Sequence, residues 1–345
     1  MSPSKCRSVF ACVFLTLFQS SCIFSQMEVG PEKLATGGDS RSSTGGVGAA
    51  TTTGATSTGS TSTSTAQGGT AANGSTGGVT AAGGVATVAG APATSTGSGC
   101  TGNLELPAAS IGLCVAKPVT ITNTTTATSF SIDATEVTRG QYEAWLATAP
   151  ALAPKTDVTC GTNASYVPLA SCMASAQVCK TNCNSHPMVC VDWCDAQAYC
   201  SAVGKRLCGK IGGGANPFSD LASADASAWY RVCSAAVGNA YPYGNTYSGT
   251  SCNGSEYWPS TTPTTVPVAS LEACQPSVAG YAGVFDLSGN VMEWEDCCAS
   301  TGSAASCRLR GGSFEENTTA LGCSYGFSYV RTTNNLRIGF RCCSL

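Results

Sequence analysis

Large apolar residues are unevenly spread along the chain, and the spread divides it into three parts. Lys5 and Arg7 precede an apolar run from Val9 to Phe18, which ends in small residues. That is the layout of a secretory signal peptide, and the run is too short for a comfortable membrane-spanning helix. From about Ala35 to Gly99 the chain is nearly all Gly, Ser, Thr and Ala, with Asp39 and Arg41 as its charges. Such a stretch has too little apolar surface to offset the entropy of ordering it. Patterning resumes at Cys100. "EVTRGQYEAWLATA" sets Val137, Tyr142, Trp145 and Leu146 near one helical face, with Thr135 as the expected N-cap. "VDWCDAQAYCSAVG" does the same for Trp193, Ala196, Tyr199 and Cys200, with Asp192 as cap and Gly204 as stop. Elsewhere Gly, Pro, Asn and Thr break the pattern into short strands and long loops. The expected class is α+β, loop-rich and stabilised by disulfides.

Residues 1–22 are thus expected to be a signal peptide, 23–99 a Gly/Ser/Thr/Ala tether, and 100–345 one folded domain of ordinary size. About 65 residues of tether have a root-mean-square span on the order of 45 Å, enough to hold a domain clear of a membrane. Ser20-Ser21-Cys22 resembles the end of a bacterial lipobox, which makes Cys22 a lipidation candidate, although Gln19 stands where that pattern has an aliphatic residue. The expected location is the periplasm or cell envelope, with membrane contact only through such an anchor.

The net charge of −3 becomes −5 without Lys5 and Arg7, leaving 15 basic against 20 acidic residues. With no basic run or basic helical face, nothing points to nucleic acid. Of 22 cysteines, 19 lie from Cys100 onward. Cys179-x3-Cys183 followed by Cys190-x3-Cys194 has the look of four zinc ligands, but beside a secretion signal disulfides are the expected state. An odd count leaves at least one thiol without an intramolecular partner.

"DATEVTRGQYEAWL", "HPMVCVDWCDAQAYCSAVGKRL", "YPYGN", "GVFDLSGNVMEW", "LRGGSF" and "RIGFRC" follow one another from about Phe130 to Cys343. In this order they resemble the formylglycine-generating enzyme family, also called the sulfatase-modifying factor family. The resemblance implies a variant C-type-lectin-like fold. It also implies a calcium site at Asp286, Gly289, Val291 and Glu293, from two carboxylates and two carbonyls at a tight turn, a fit for a hard cation. The alternative is an Asp/Gly turn with a buried glutamate bonded to backbone amides. A second calcium site would begin at Asn253, but "WPSTTPTTVPV" lacks its downstream acid; Glu256 is the one substitute, so this site is expected to be altered or lost. "RLCGKIGGGANPF" departs from the family and looks like a loop tied by Cys208, with "ASAWYRVC" resuming a helix at Trp229. His186, the chain's one histidine, cannot build an iron site of two histidines and a carboxylate, and is expected to be structural.

Active relatives carry C-x4-C, two further residues, then Arg. Their two thiolates hold Cu(I), which activates oxygen to convert a substrate cysteine to formylglycine. Here the stretch is Cys323-x4-Ser328-x2-Arg331. A serine hydroxyl is a poor Cu(I) ligand, so the ordinary copper chemistry is not expected. Two functions remain: a binding or scaffold module for a protein or peptide ligand, or an oxidase with Cys323 as its surviving sulfur. The odd cysteine count and the substrate-facing position implied for Cys323 make it the expected free thiol. The alternative is pairing with Cys307, Cys342 or Cys343.

Overall fold

The structure, a computed structural model, describes residues 100–105, 112–123, 128–258 and 261–345. The expected signal peptide, the Cys22 anchor and the tether lie outside the described residues. Three sheets and four α-helices are present among those described, joined by long irregular connections. β1 (Leu104–Glu105) pairs with β2 (Val115–Ala116). β3 (Pro118–Asn123), β4 (Thr128–Asp133), β10 (Cys342–Ser344) and β5 (Arg206–Leu207) form an antiparallel sheet in that order. The other sheet runs β8 (Gly326–Val330), β7 (Ser306–Arg310), β6 (Met292–Cys298), β9 (Ile338–Phe340). β9 runs parallel to β6, with Glu293 opposite Gly339. A side chain at Gly339 would put its Cβ 2.7 Å from the Met188 carbonyl oxygen, so only glycine admits this approach.

α1 (Arg139–Leu146) starts three residues later than the Thr135 cap would place it. Thr138 is the N-cap, because Gln141 three residues on completes a capping box with it (Thr138 N donates to Gln141 Oε1, 2.7 Å). α2 (Ala170–Met173) is a single turn. α3 (Trp193–Ala202) is capped by Asp192 as expected, again in a capping box, here with Asp195, and Gly204 follows its end at φ +74°. α4 (Ala228–Cys233) is the resumed helix, capped by Ser227.

Tyr142, Trp145, Trp193, Tyr199, Trp294 and Phe340 fill one core cluster, and their rings meet at centroid distances of 5.1–6.2 Å where they touch around Tyr142. Ile121, Phe130, Ile132, Trp229 and Leu287 fill another. Among the described residues nine disulfides tie the loops down. Cys200–Cys342 and Cys208–Cys343 fasten α3 and β5 to the last strand, the latter by the cysteine that introduces the inserted loop. Cys179, Cys183, Cys190 and Cys194 are all disulfide-bonded, to Cys183, Cys179, Cys172 and Cys160, so they are not zinc ligands. No described helix is long and apolar enough to cross a membrane.

Candidate functional site

The chain passes from β9 to β10, and so from one sheet to the other, at Arg341. Arg341 is fully buried and fixes that crossing. Its guanidinium gives Nε and Nη2 to the two carboxylate oxygens of Glu293 (2.7 Å each), Nη1 to the Asp133 carbonyl and Nη2 also to the Phe285 carbonyl. Trp229 Nε1 donates to the same Glu293 carboxylate at 2.9 Å. Glu293 therefore serves as the counter-ion of a buried arginine, which without it would be an unpaired charge in the core.

This bears on calcium. The loop backbone is left-handed at Asp286, Gly289 and Asn290, and a Cβ at Gly289 would lie 2.4 Å from the Asn253 carbonyl oxygen. The turn is as tight as expected. Asp286 accepts from Ala269 N (2.7 Å), and its other oxygen, like Oε2 of Glu136, is buried without a hydrogen-bond partner. Burial, then the Asp286 charge, raises Glu136 well above the carboxylate range. Among the described residues no three His, Cys, Asp or Glu side chains are grouped to hold a metal. Of the implied set of Asp286, Gly289, Val291 and Glu293, Glu293 has both carboxylate oxygens on the Arg341 guanidinium, and Asp286 keeps one buried oxygen without a partner. Nor is Glu293 held by backbone amides. Asn253 is likewise satisfied by protein groups: its amide donates to the Thr264 carbonyl and to Asn290, and it accepts from Trp258 Nε1 at 2.6 Å.

The three residues of the expected active site are not brought together. Cys323 is bonded to Cys233 at the end of α4 and is buried beside Trp229 and Leu287. It is neither free nor paired with Cys307, Cys342 or Cys343; those bond to Cys298, Cys200 and Cys208. Pairing follows from distance, the Cα atoms of Cys233 and Cys323 being 5.5 Å apart. Ser328 is exposed at the middle of β8, an outer strand of its sheet. Arg331 lies beyond the far end of β8, whose five residues alone span about 13 Å. Its guanidinium sits 4.6 Å over the Trp193 ring and donates to the Thr159 and Ser300 carbonyls.

The one free thiol among the described residues is Cys297, which is buried. Burial, then the Glu295 charge, pushes it up to about 12. A thiol so held has almost no thiolate at neutral pH and makes a poor nucleophile or copper ligand. His186 is half-buried, with Nδ1 2.9 Å from Thr265 Oγ1, and burial lowers its pKa.

Sequence reasoning missed the acid pair at the start of α3. Asp195 accepts from Asn163 (2.7 Å) and from Asp192 N, and Asp192 accepts from Asp195 N. Burial, then the Asp192 charge, raises Asp195 to about 8. The signal was present as an Asp at both the N-cap and the third helical position. For Arg341 the signal was an arginine beside apolar residues in "RIGFRC", a charge that requires a buried partner.

A family model described as the sulfatase-modifying factor enzyme 1-like domain (FGE-sulfatase) matches residues 79–344. The chain belongs to this family. The FGE-sulfatase domain has the C-type-lectin-like fold expected from the motifs, here mixed in helix and sheet and dense in disulfides. No curated protein matches the chain. Similar solved structures include that of CarF, 19% identical over 63% of this chain and 86% of that one, TM-score 0.40. PvdO from Pseudomonas aeruginosa is 21% identical over 63% and 81%, TM-score 0.40. Treponema denticola variable protein 1 is 17% identical over 71% and 92%, TM-score 0.38. Nine disulfides suit an oxidising compartment.

Proposed function

We propose that this FGE-sulfatase domain is a noncatalytic module that holds a protein or peptide ligand at the cell envelope. The observation that carries the reading is the Cys233–Cys323 disulfide. It occupies the sulfur on which copper chemistry would depend, while Ser328 stands at the second ligand position and Cys297 is buried elsewhere as a thiol. Two soft thiolates are what Cu(I) requires, and the described residues offer none. The outer strand β8 keeps Ser328 and Val330 exposed for a ligand. Export by the 1–22 segment, anchoring at Cys22 and a tether over 23–99 complete the proposal. They rest on the sequence pattern and on a disulfide content that an oxidising compartment favours.

The test is incubation of the nonreduced full chain with Cu(I), oxygen and a cysteine-containing peptide of the sulfatase type. The expected result is no stoichiometric Cu(I) and no change in peptide mass. Turnover of the peptide cysteine to formylglycine would overturn the reading. Fatty-acid labelling in cells tests the anchor; incorporation lost in Cys22→Ala is the expected outcome.

A further inference from the structure

Eight of the nine disulfides close loops with sequence separations from 9 to 142, whereas Cys179–Cys183 has a separation of 4. A bond that closes so short a loop restricts the unfolded chain least. The surrounding chain is also held by other contacts. The residues just after it are held separately, by Arg139 N donating to the His186 carbonyl (2.8 Å) and Val268 N to the Ser185 carbonyl (2.9 Å). Cys190 nearby has its own bond to Cys172. Breaking Cys179–Cys183 therefore frees a few residues and leaves the core intact.

The bond also lies at a cavity. Arg139, Glu143, Lys180, Asn182, Cys183 and Asn184 line a surface cavity of about 200 Å³. Two cations face one carboxylate there. Glu143 is taken by Arg139 (2.7 Å), and the Lys180 ammonium donates only to the neutral Met173 carbonyl. Among the described residues Lys180 is thus a cation without an acidic partner, beside a disulfide at the surface. Cationic side chains favour a thiolate over a thiol, and the thiolate is the species that attacks a disulfide.

We propose that Cys179–Cys183 is a thiol-exchange site, taking the thiolate of a small thiol or of a cysteine-bearing peptide into this cavity. Cys183, although only 7% exposed, lines the cavity and Cys179 does not, so a thiolate held in the cavity attacks Cys183 Sγ. A bond forms between the incoming sulfur and Cys183, and the Cys179–Cys183 bond breaks. Its electron pair leaves on Cys179, which is partly exposed and takes a proton from water. A second thiolate attacking the incoming sulfur of this mixed disulfide releases the partner as a disulfide and Cys183 as thiolate. Two partner thiols are oxidised, and the protein disulfide is reduced to a dithiol. This assignment does not depend on the binding-module reading.

The test exposes the nonreduced full chain to graded glutathione in one arm and to a single-cysteine peptide in the other. Acid quenching, alkylation and peptide mapping follow. The expected result is opening of Cys179–Cys183 at a thiol concentration roughly tenfold below that needed for any other disulfide, with the adduct on Cys183. Faster reaction of the peptide than of glutathione, at equal thiolate, identifies a peptide source, and the reverse order a small thiol. Lys180→Glu should slow adduct formation about three- to tenfold, with the difference shrinking at high salt. Earlier opening of Cys100–Cys114 or Cys298–Cys307, an adduct on Cys179, or an unchanged rate in Lys180→Glu would overturn the assignment.

Discussion

Replacing Cys233 and Cys323 together by alanine tests whether the expected reactive sulfur is a structural one. The bond closes a separation of 90 residues. A chain-entropy treatment with a loop of that length gives about 4.6 kcal/mol of stabilisation. Cys252–Cys274 and Cys298–Cys307 lie inside the loop, with separations of 22 and 9, and shorten the closed path to about 60 residues. Because the dependence is logarithmic, the value falls only to about 4 kcal/mol. Removing two buried sulfurs beside Trp229 and Leu287 adds on the order of 1 kcal/mol of lost packing. In a domain of this size, about 5 kcal/mol lowers the melting temperature by about 10–20 °C. Near-ultraviolet circular dichroism on heating measures the shift, and nonreducing peptide maps confirm that the other eight bonds remain. The single Cys323→Ala variant should behave like the double, since it breaks the same bond. A shift below about 3 °C in the double variant, or alkylation of Cys323 in the native protein, would refute the reasoning.

Three further predictions concern buried groups. Asp195 carries its proton to about 8 in the folded state, against 3.8 for the ordinary group, so the folded state binds more protons between these values. Stability should accordingly fall as pH rises from about 4 to 8, by up to about 1.4 kcal/mol per unit, and Asp195→Asn should flatten that slope in melts across the range. Cys297 should resist iodoacetamide at pH 8 in the native nonreduced chain and react once guanidinium unfolds it, because burial holds the thiol protonated; rapid native labelling would contradict this. Glu293→Gln leaves the Arg341 guanidinium buried without its counter-ion and should cost about 3–5 kcal/mol, while a calcium chelator leaves the wild-type melting temperature unchanged. A chelator-induced drop reversed by calcium would show that an ion, and not Arg341, occupies the Glu293 carboxylate.

The sequence made some of this legible and hid the rest for physical reasons. α3 could be read because its signals are local: an Asp cap, an apolar face and a glycine just past the end. The start of α1 was misplaced because Thr135 and Thr138 are both competent caps, and the choice between them depends on Gln141 reaching back. Disulfide connectivity is set by which loops the fold brings together. Cys323 lies near Cys307, Cys342 and Cys343 in sequence but near Cys233 in space. The partner of Glu293 was hidden for a similar reason. A carboxylate in an apolar stretch needs a partner, and sequence alone does not say whether that partner is an ion or an arginine 48 residues later.

Chemistry and stability compete for the same sulfur in this scaffold. Short strands and long connections leave the fold with few regular elements to hold it, so cross-links between distant loops carry much of its stability. A cysteine near the end of α4 places a thiol within bonding distance of the loop before β8. In an oxidising compartment such a pair closes, and Cys323 ceases to be a nucleophile or a metal ligand. Restoring a cysteine at Ser328 would therefore not rebuild a copper pair by itself. The Cys233–Cys323 bond would have to be removed as well, at the cost in stability worked out above. Ser328→Cys alone should leave Cu(I) affinity unchanged, because Cys323 is bonded to Cys233 and buried away from position 328; a rise in this variant would show that Cys323 is free.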